Sequence, residues 1–160
     1  MISNYAYLVS TASGVLLFNT GLGPPHDELD AIYRPTRYDL PRLLSQQGVS
    51  MRDVVVVAHS KGGLVGKYAM AHLDPGRRID RMVAVATPFG GSVYARFFLV
   101  PSVRAFSPGD PTLRRLAEEL RVNGRITSIW GEFDPHIPGG SRLEGATNVE
   151  LPVQGHFRIL

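Results

Sequence analysis

The sequence predicts a single α/β domain, in which helices flank a mostly parallel sheet. One observation is the run Val54–Val57, which is apolar at every position and therefore typical of a central strand that is covered on both faces. Another is the alternation of strand-like runs with helical stretches, which is the pattern of a parallel sheet. The length of 160 residues and the hydrophobic content of 44% suit one globular domain, residues 1–160.

The chain before the central strand predicts a β-hairpin and helices. Tyr5–Val9 and Val15–Phe18 are short β-prone runs, and residues 10–14 between them have turn composition. If the second run lies beside the central strand, the first would pair antiparallel outside it and become an edge. Short helices are expected at His26–Tyr33 and from Asp39 to Gly48. Residues 1–52 therefore form an atypical N-terminal part, and residues 53–160 form the core.

Strands and helices alternate after the central strand. The expected elements are, in order, a helix Gly62–Leu73, a strand Arg81–Ala86, a helix from Asp110, strands Arg125–Trp130 and Thr147–Leu151, and a final half-helix Gly155–Leu160. In the helix after Asp110, the apolar residues are spaced to share one face, which is expected to pack on the core; they are Leu113, Leu116, Ala117 and Leu120.

Ser60 stands where the central strand gives way to a helix. Small residues lie two positions before and two positions after it, Ala58 and Gly62, and we expect them to let the strand and helix pass closely. A serine at such a corner is typical of the nucleophile in serine hydrolases, where the helix N-terminus can stabilise a developing oxyanion. The alternative is a serine that only caps the helix.

Asp134 and His156 follow later strands, so the order of candidate residues is serine, aspartate, histidine. The carboxyl ends of parallel strands meet at one edge of the sheet. Ser60 would be the acyl nucleophile, His156 the base and Asp134 the residue that orients the imidazole. Two alternatives stay open, a turn aspartate in Asp134-Pro135 and a packed or exposed histidine at His156. We expect His59 to support the corner.

From Asp53 onward the sequence resembles the lipases and esterases of the α/β-hydrolase superfamily. The matching segments are Ala58–Val65, Ala86–Ser92, Gly131–Pro138 and Asn148–Phe157. The resemblance implies a reduced α/β-hydrolase fold and hydrolysis of carboxylic esters through an acyl-enzyme, with Ser60, Asp134 and His156 as the triad. It also implies that the backbone N–H of Lys61 is an oxyanion donor. Residues 92–123 would form a short lid over an acyl pocket, with ordinary core packing as the alternative.

The front of the chain departs from this family. The only candidate for the loop that supplies the second oxyanion donor is Thr20–Gly23, in which Leu22 and Gly23 would donate. Residues 1–57 instead resemble the N-terminal part of metallo-β-lactamase-fold hydrolases, in Tyr7–Val9, Gly14–Gly23 and Asp53–Ser60. A chimera of the two families is therefore a hypothesis. The metal-binding HxHxDH cluster does not follow, and the five histidines have no metal-ligand spacing, so we expect neither a metal nor another cofactor.

Composition and charge limit the classes of partner and the cellular location that we expect for this protein. A net charge of +3 from scattered basic residues argues against nucleic-acid binding, and the absence of cysteines excludes disulfides. No apolar run reaches spanning length, and residues 1–4 lack the features of a signal peptide, so we expect a cytoplasmic protein without stable membrane insertion.

Two functions stay open. One is an esterase acting on a small acyl ester or lipid. The other is a non-catalytic or weakly active scaffold with an incomplete oxyanion hole. The expected apolar sheet edge also predicts a homo-oligomer.

Overall fold

The computed structural model describes residues 7–11, 14–18, 52–92 and 107–159, together with Gln46 and Gly48. Strands and helices alternate along these residues. The strands are β1 (Tyr7–Thr11), β2 (Gly14–Phe18), β3 (Val54–His59), β4 (Ile79–Val85), β5 (Ile126–Phe133) and β6 (Thr147–Gln154). The helices are α1 (Lys61–Tyr68), which continues into a π-helical turn (Ala69–Leu73), α2 (Pro111–Glu118) and a 3₁₀ turn (Asn123–Arg125).

The six strands form one sheet whose spatial order, β1 to β6, follows the chain. β1 and β2 form an antiparallel hairpin, and every later pair of neighbours is parallel. β2 lies beside β3 and β1 lies outside it, so the predicted placement of the hairpin is confirmed. The first strand continues to Thr11, two residues beyond the expected end at Val9.

Alternate residues of the strands enter two separate hydrophobic clusters. On β4, Met82 and Ala84 belong to the main core, whereas Val85 belongs to a smaller cluster with Ala86 and Ile137. Because successive side chains of a strand point to opposite faces, these clusters cover opposite faces of the sheet. At β4 the described sheet is therefore packed on both faces. On β3, Val54 and Ala58 are buried, whereas Val55, Val56 and Val57 are only half-buried, so full coverage of this strand on both faces stays a prediction.

Helix α1 packs close to the sheet through two glycines. A Cβ atom on Gly63 would overlap the Thr87 hydroxyl oxygen, and one on Gly66 would lie 2.5 Å from the Met82 sulfur. Real Cβ atoms do not approach other atoms so closely. Glycine at these two positions therefore lets the first turns of α1 lie directly on the sheet and fixes the direction in which the helix leaves the corner at Ser60.

Helix α2 begins where the sequence predicts. The Asp110 carboxylate accepts hydrogen bonds from the backbone N–H groups of Thr112 and Leu113, at 2.8 and 3.2 Å. Leu113 and Leu116 are buried in the main core. Leu120, expected on the same face, is 49% exposed because the helix ends at Glu118. Ala117 lies within the helix and is exposed as well, so the predicted face is confirmed for Leu113 and Leu116 and wrong for Ala117 and Leu120.

The predicted lid, residues 92–123, is only partly described. Leu113, Leu116 and Val122 all pack in the main core, so residues 111–122 lie against the body of the domain. Residues 93–106 lie outside the described residues, and a lid in this segment stays a prediction. The helix predicted at His26–Tyr33 also lies outside them, and so does most of the one from Asp39 to Gly48.

The C-terminal half-helix predicted at Gly155–Leu160 is wrong for the residues that the structure describes. β6 continues to Gln154, three residues beyond the predicted Leu151, and turns occupy residues 155–159. Gly155 has a φ of 100°, which β-strands do not use, so the chain leaves the sheet there. The helices in the described ranges are all too short or too polar to cross a membrane.

Candidate functional site

Ser60 occupies a strained corner between β3 and α1. Its φ of 54° and ψ of −123° are unusual for a residue other than glycine. The Ser60 N–H donates to the Val85 carbonyl at 2.8 Å, and its own carbonyl accepts from the Gly63 N–H at 3.1 Å. The side chain makes no capping hydrogen bond to the helix, so the helix-capping alternative is not the arrangement found. Hydrogen bonds to described residues therefore hold the Ser60 backbone, whereas its hydroxyl does not cap the helix.

Asp134 and His156 form a buried pair beyond the ends of β5 and β6. His156 Nδ1 lies 2.6 Å from Asp134 Oδ2, and the two side chains are 6% and 4% exposed. A carboxylate can only accept, so Nδ1 carries the proton of this short hydrogen bond. The lone pair of a neutral His156 is therefore on Nε2. The imidazole is thus fixed in orientation and in tautomer.

The other carboxylate oxygen of Asp134 holds the loop itself. Asp134 Oδ1 accepts a hydrogen bond from the His136 backbone N–H at 2.8 Å, which is the geometry of an Asx turn. Asp134 is therefore both a turn aspartate, through Oδ1, and the partner of His156, through Oδ2. Because both oxygens are engaged, the carboxylate cannot rotate away from His156 without losing a hydrogen bond.

His59 connects the histidine turn to the strand that carries Ser60. Its Nε2–H donates to the His156 carbonyl at 3.1 Å, and the two rings lie 4.7 Å apart. Burial lowers the pKa of His59 below its usual 6.5, although its hydrogen bond to the His156 carbonyl opposes that shift. Since His59 directly precedes Ser60, this contact brings the turn after β6 across the ends of β5 and β4 to the corner.

Two aromatic side chains beside His156 were not predicted from the sequence. The ring of His136 lies 4.8 Å from that of His156, and Phe157 meets it edge-on at 5.0 Å. Both are largely exposed, His136 at 60% and Phe157 at 65%. Each lies within two residues of a predicted site residue, and this proximity in sequence was the available signal. Their rings form an open aromatic rim around the buried imidazole.

Lys61, predicted as an oxyanion donor, is the first residue of α1. Backbone N–H groups in the first turn of a helix carry its partial positive charge, and such groups favour a nearby anion. Leu22 and Gly23, predicted to complete the oxyanion hole, lie outside the described residues.

Three side chains of the site have the donor atoms of a metal centre. Asp134, His136 and His156 each offer one ligand atom, and these atoms all lie within 4.8 Å of one another. Spacing along the sequence predicted no metal site. The turn after β6 makes the difference, because it brings His156 to the loop that contains Asp134 and His136.

Comparison with known proteins gives a fold and no closer relationship. No protein-family model matches the chain, and no curated protein matches it. Among solved structures it is similar to the lipase BlEst2 of Bacillus licheniformis in its mature form, with a TM-score of 0.54 and 19% identity over 75% of this chain and 64% of that one. The propeptide form of the same lipase has a TM-score of 0.53 and 18% identity, over 75% of this chain and 35% of that one. A monoacylglycerol lipase of Paleococcus ferrophilus has a TM-score of 0.46 and 15% identity, over 73% of this chain and 64% of that one.

This chain therefore spans less than two thirds of the length of these lipases. The suggested relationship of the front of the chain to metallo-β-lactamase-fold hydrolases has no support from these comparisons and stays a hypothesis. The sheet order, the parallel strands and the similarity to BlEst2 agree with one another. The described chain has a reduced α/β-hydrolase fold with an N-terminal β-hairpin.

Proposed function

We propose that this chain is a serine hydrolase of carboxylic esters that works through an acyl-enzyme. The observation that supports this most is the buried Asp134–His156 pair, which reaches the corner of Ser60 through the contact of His59 with the His156 carbonyl. A strained serine, an imidazole with its free lone pair on Nε2 and a buried carboxylate are the three groups that acyl transfer by serine needs.

In this mechanism the Ser60 hydroxyl oxygen attacks the carbonyl carbon of the ester, and His156 Nε2 takes its proton. Asp134 stabilises the imidazolium that forms, since the carboxylate accepts from Nδ1. The backbone N–H of Lys61 would donate to the oxyanion of the tetrahedral intermediate. His156 then returns the proton to the leaving alcohol, and a water molecule, activated in the same way, releases the acid and restores Ser60.

The proposed substrate is a small acyl ester or a lipid. BlEst2 and the Paleococcus ferrophilus enzyme are described as lipases, and the first of them shares the fold of this chain. The exposed rings of His136 and Phe157 beside His156 offer apolar surface where an acyl or alcohol group would lie. We propose no particular chain length.

A second candidate is a weakly active or non-catalytic scaffold of the same fold. One observation favours it: in the described part of the chain the Ser60 hydroxyl makes no hydrogen bond to His156. A single missing oxyanion donor lowers rates by about 10²–10³, so an incomplete oxyanion hole would leave a weak activity.

The test measures release of p-nitrophenol from p-nitrophenyl acetate and butyrate. We expect Ser60→Ala to lower kcat/KM by more than about 1000-fold, because loss of the nucleophile removes the whole acyl-transfer route. Ser107→Ala is the matched control, since Ser107 precedes α2 far from the corner in sequence and has no role in the proposed mechanism. Equal rates for the wild type and Ser60→Ala would contradict the esterase proposal.

A fluorophosphonate probe tests the nucleophile without a turnover assay. We expect the probe to label Ser60 in the wild type and in Ser107→Ala, and to leave His156→Ala unlabelled, because the serine needs a base to react. Strong labelling with slow ester turnover would favour the weakly active scaffold. Absence of labelling in the folded wild type would count against the esterase and against the weakly active scaffold.

A further inference from the structure

The loop after β5 and the turn after β6 place two imidazoles around one carboxylate. Asp134 Oδ1 lies 3.6 Å from His136 Nδ1, and Asp134 Oδ2 lies 2.6 Å from His156 Nδ1. Asp134 and His156 are almost completely buried, whereas the His136 side chain is 60% exposed. The group therefore has a buried inner pair and an exposed outer ligand that faces solvent.

Two nitrogen donors and one oxygen donor form the ligand set of an open zinc site. Zn²⁺ binds imidazole and carboxylate at about 2.0–2.2 Å, which puts the ligand atoms of a tetrahedral site about 3.3 Å apart. The 3.6 Å between Asp134 Oδ1 and His136 Nδ1 is already close to that spacing. The 2.6 Å between Asp134 Oδ2 and His156 Nδ1 is shorter, so these two atoms must move apart by about 0.7 Å to admit the ion. All three ligand atoms lie within 4.8 Å of one another. Rotation of the exposed His136 ring can bring its donor nitrogen closer to the ligand atoms of Asp134 and His156. Ca²⁺ and Mg²⁺ prefer sites made of oxygen ligands.

The geometry points to an inhibitory zinc site: Asp134, His136 and His156 bind Zn²⁺, and the bound ion removes His156 from its role as the base. Catalysis by the proposed mechanism does not use this ion. Binding at the site is independent of the proposed function, whereas the inhibition rests on it.

The proton balance explains why the ion would inhibit. Without the ion, Nδ1 of His156 carries the proton and donates it to Asp134, so the lone pair on Nε2 is available to Ser60. Zn²⁺ takes the lone pair of Nδ1, and the proton of the neutral ring then resides on Nε2. The total number of protons does not change, but Nε2 becomes a donor and cannot accept the serine proton. Asp134 is also withdrawn from the imidazole.

Binding is measured first, without turnover, in the Ser60→Ala variant. Isothermal titration with Zn²⁺ should give one site, and Co²⁺ should give the visible absorption bands of a site with low coordination number. We expect His136→Ala to weaken Zn²⁺ binding by at least about tenfold, because it removes one of three ligands. The matched control is His72→Ala, which removes an exposed histidine from the π-helical turn after α1. Equal Zn²⁺ affinity in Ser60→Ala with and without His136→Ala would overturn the site.

Inhibition is measured next, on the chain with Ser60, with each variant compared to its own rate without metal. Saturating Zn²⁺ should lower ester hydrolysis by about 100-fold or more, since a general base typically contributes about 10²–10⁴. A chelator should restore the rate, Mg²⁺ should have no effect, and His136→Ala should need much more Zn²⁺. Zn²⁺ binding that leaves hydrolysis unchanged would overturn the inhibitory role. Binding that depends on His136 in a chain without esterase activity would support the site and count against the proposed function.

Discussion

Lys67 is fully buried in α1, and its Nζ has no hydrogen-bond partner among the described residues. Burial lowers the pKa of Lys67 from 10.5 to about 8, and the negative charge of Glu119 opposes this shift only in part. A buried ammonium without a partner is a cost to the folded state that does not serve the corner at Ser60. Lys67 is therefore a residue at which stability can be changed separately from the proposed chemistry.

We predict that Lys67→Met stabilises the protein at pH 7 by about 1–3 kcal/mol, because it replaces a buried charge with an apolar side chain of similar size. The folded state holds its lysine proton less tightly than the unfolded state does. The cost is therefore complete below about pH 8 and disappears as the pH rises towards 10.5. Denaturant unfolding between pH 7 and 10.5 measures this. A difference between wild type and variant that does not shrink with pH would contradict the prediction.

His59 is a positioning residue for His156, because its ring donates to the His156 backbone and touches neither Asp134 nor a substrate in the proposed mechanism. We predict that His59→Leu lowers kcat by about tenfold or more with little change in KM, since small displacements of a catalytic group can cost up to about 100-fold. His59→Gln keeps an N–H donor and should recover part of the loss. Equal effects of Leu and Gln, or an effect confined to KM, would argue against positioning.

At the scale of elements, the corner between β3 and α1 depends on which glycine contacts the sheet. The sequence indicated Ala58 and Gly62 as the pair that lets the strand and helix pass closely. A Cβ on Gly62 would lie 3.5 Å from the Ala58 Cβ, which is ordinary contact. The close approach lies one residue later, where Gly63 meets the buried Thr87.

We therefore predict opposite outcomes for two neighbouring glycines. Gly63→Ala should destabilise the protein by about 1–3 kcal/mol, because the methyl group would overlap the Thr87 side chain and force the helix outwards. Gly62→Ala, the matched control, should be neutral or slightly stabilising, since alanine favours helix over glycine by up to about 1 kcal/mol. Thermal unfolding of both variants tests this. Equal loss of stability in the two would show that the helix does not rest on Thr87.

Local signals predicted the elements well where they agreed with one another. Around Ser60 an apolar strand, a small-residue turn and a helical pattern all indicated the same corner, and at Asp110 a capping carboxylate marked the start of α2. The half-helix after Gly155 was wrong because composition does not reveal a positive φ that ends a strand and turns the chain. The sequence offered nothing to distinguish that turn from the start of a helix.

The candidate site was predictable only residue by residue. Ser60, Asp134 and His156 each follow a strand, and this follows from the sequence alone. The contact between His59 and His156 joins positions 97 residues apart, and no spacing pattern reports it. The same holds for His136, which has no metal-ligand spacing in the sequence and which the fold brings beside His156. Contacts between residues that are distant in sequence can be identified only from the tertiary structure.

At the scale of the molecule, the two edges of the described sheet differ. β6 carries Glu150 and Pro152, both exposed, and a charge and a proline are features that protect an edge strand from pairing with another chain. β1, with the sequence YLVST, has neither. Its outer side has no neighbouring strand among the described residues. Self-association is therefore expected through β1.

We predict that the chain forms a dimer or larger assembly by pairing of β1 edges. Val9→Lys places a charge on this strand and should shift the protein to monomer, because charged edges resist pairing with other strands. Val65→Lys, at a half-exposed position of α1, adds the same charge away from the edge and should leave the assembly intact. Light scattering coupled to size exclusion measures the mass of each variant. A wild type that stays monomeric at high concentration would refute edge pairing, and an assembly unchanged by Val9→Lys would place the contact on another surface.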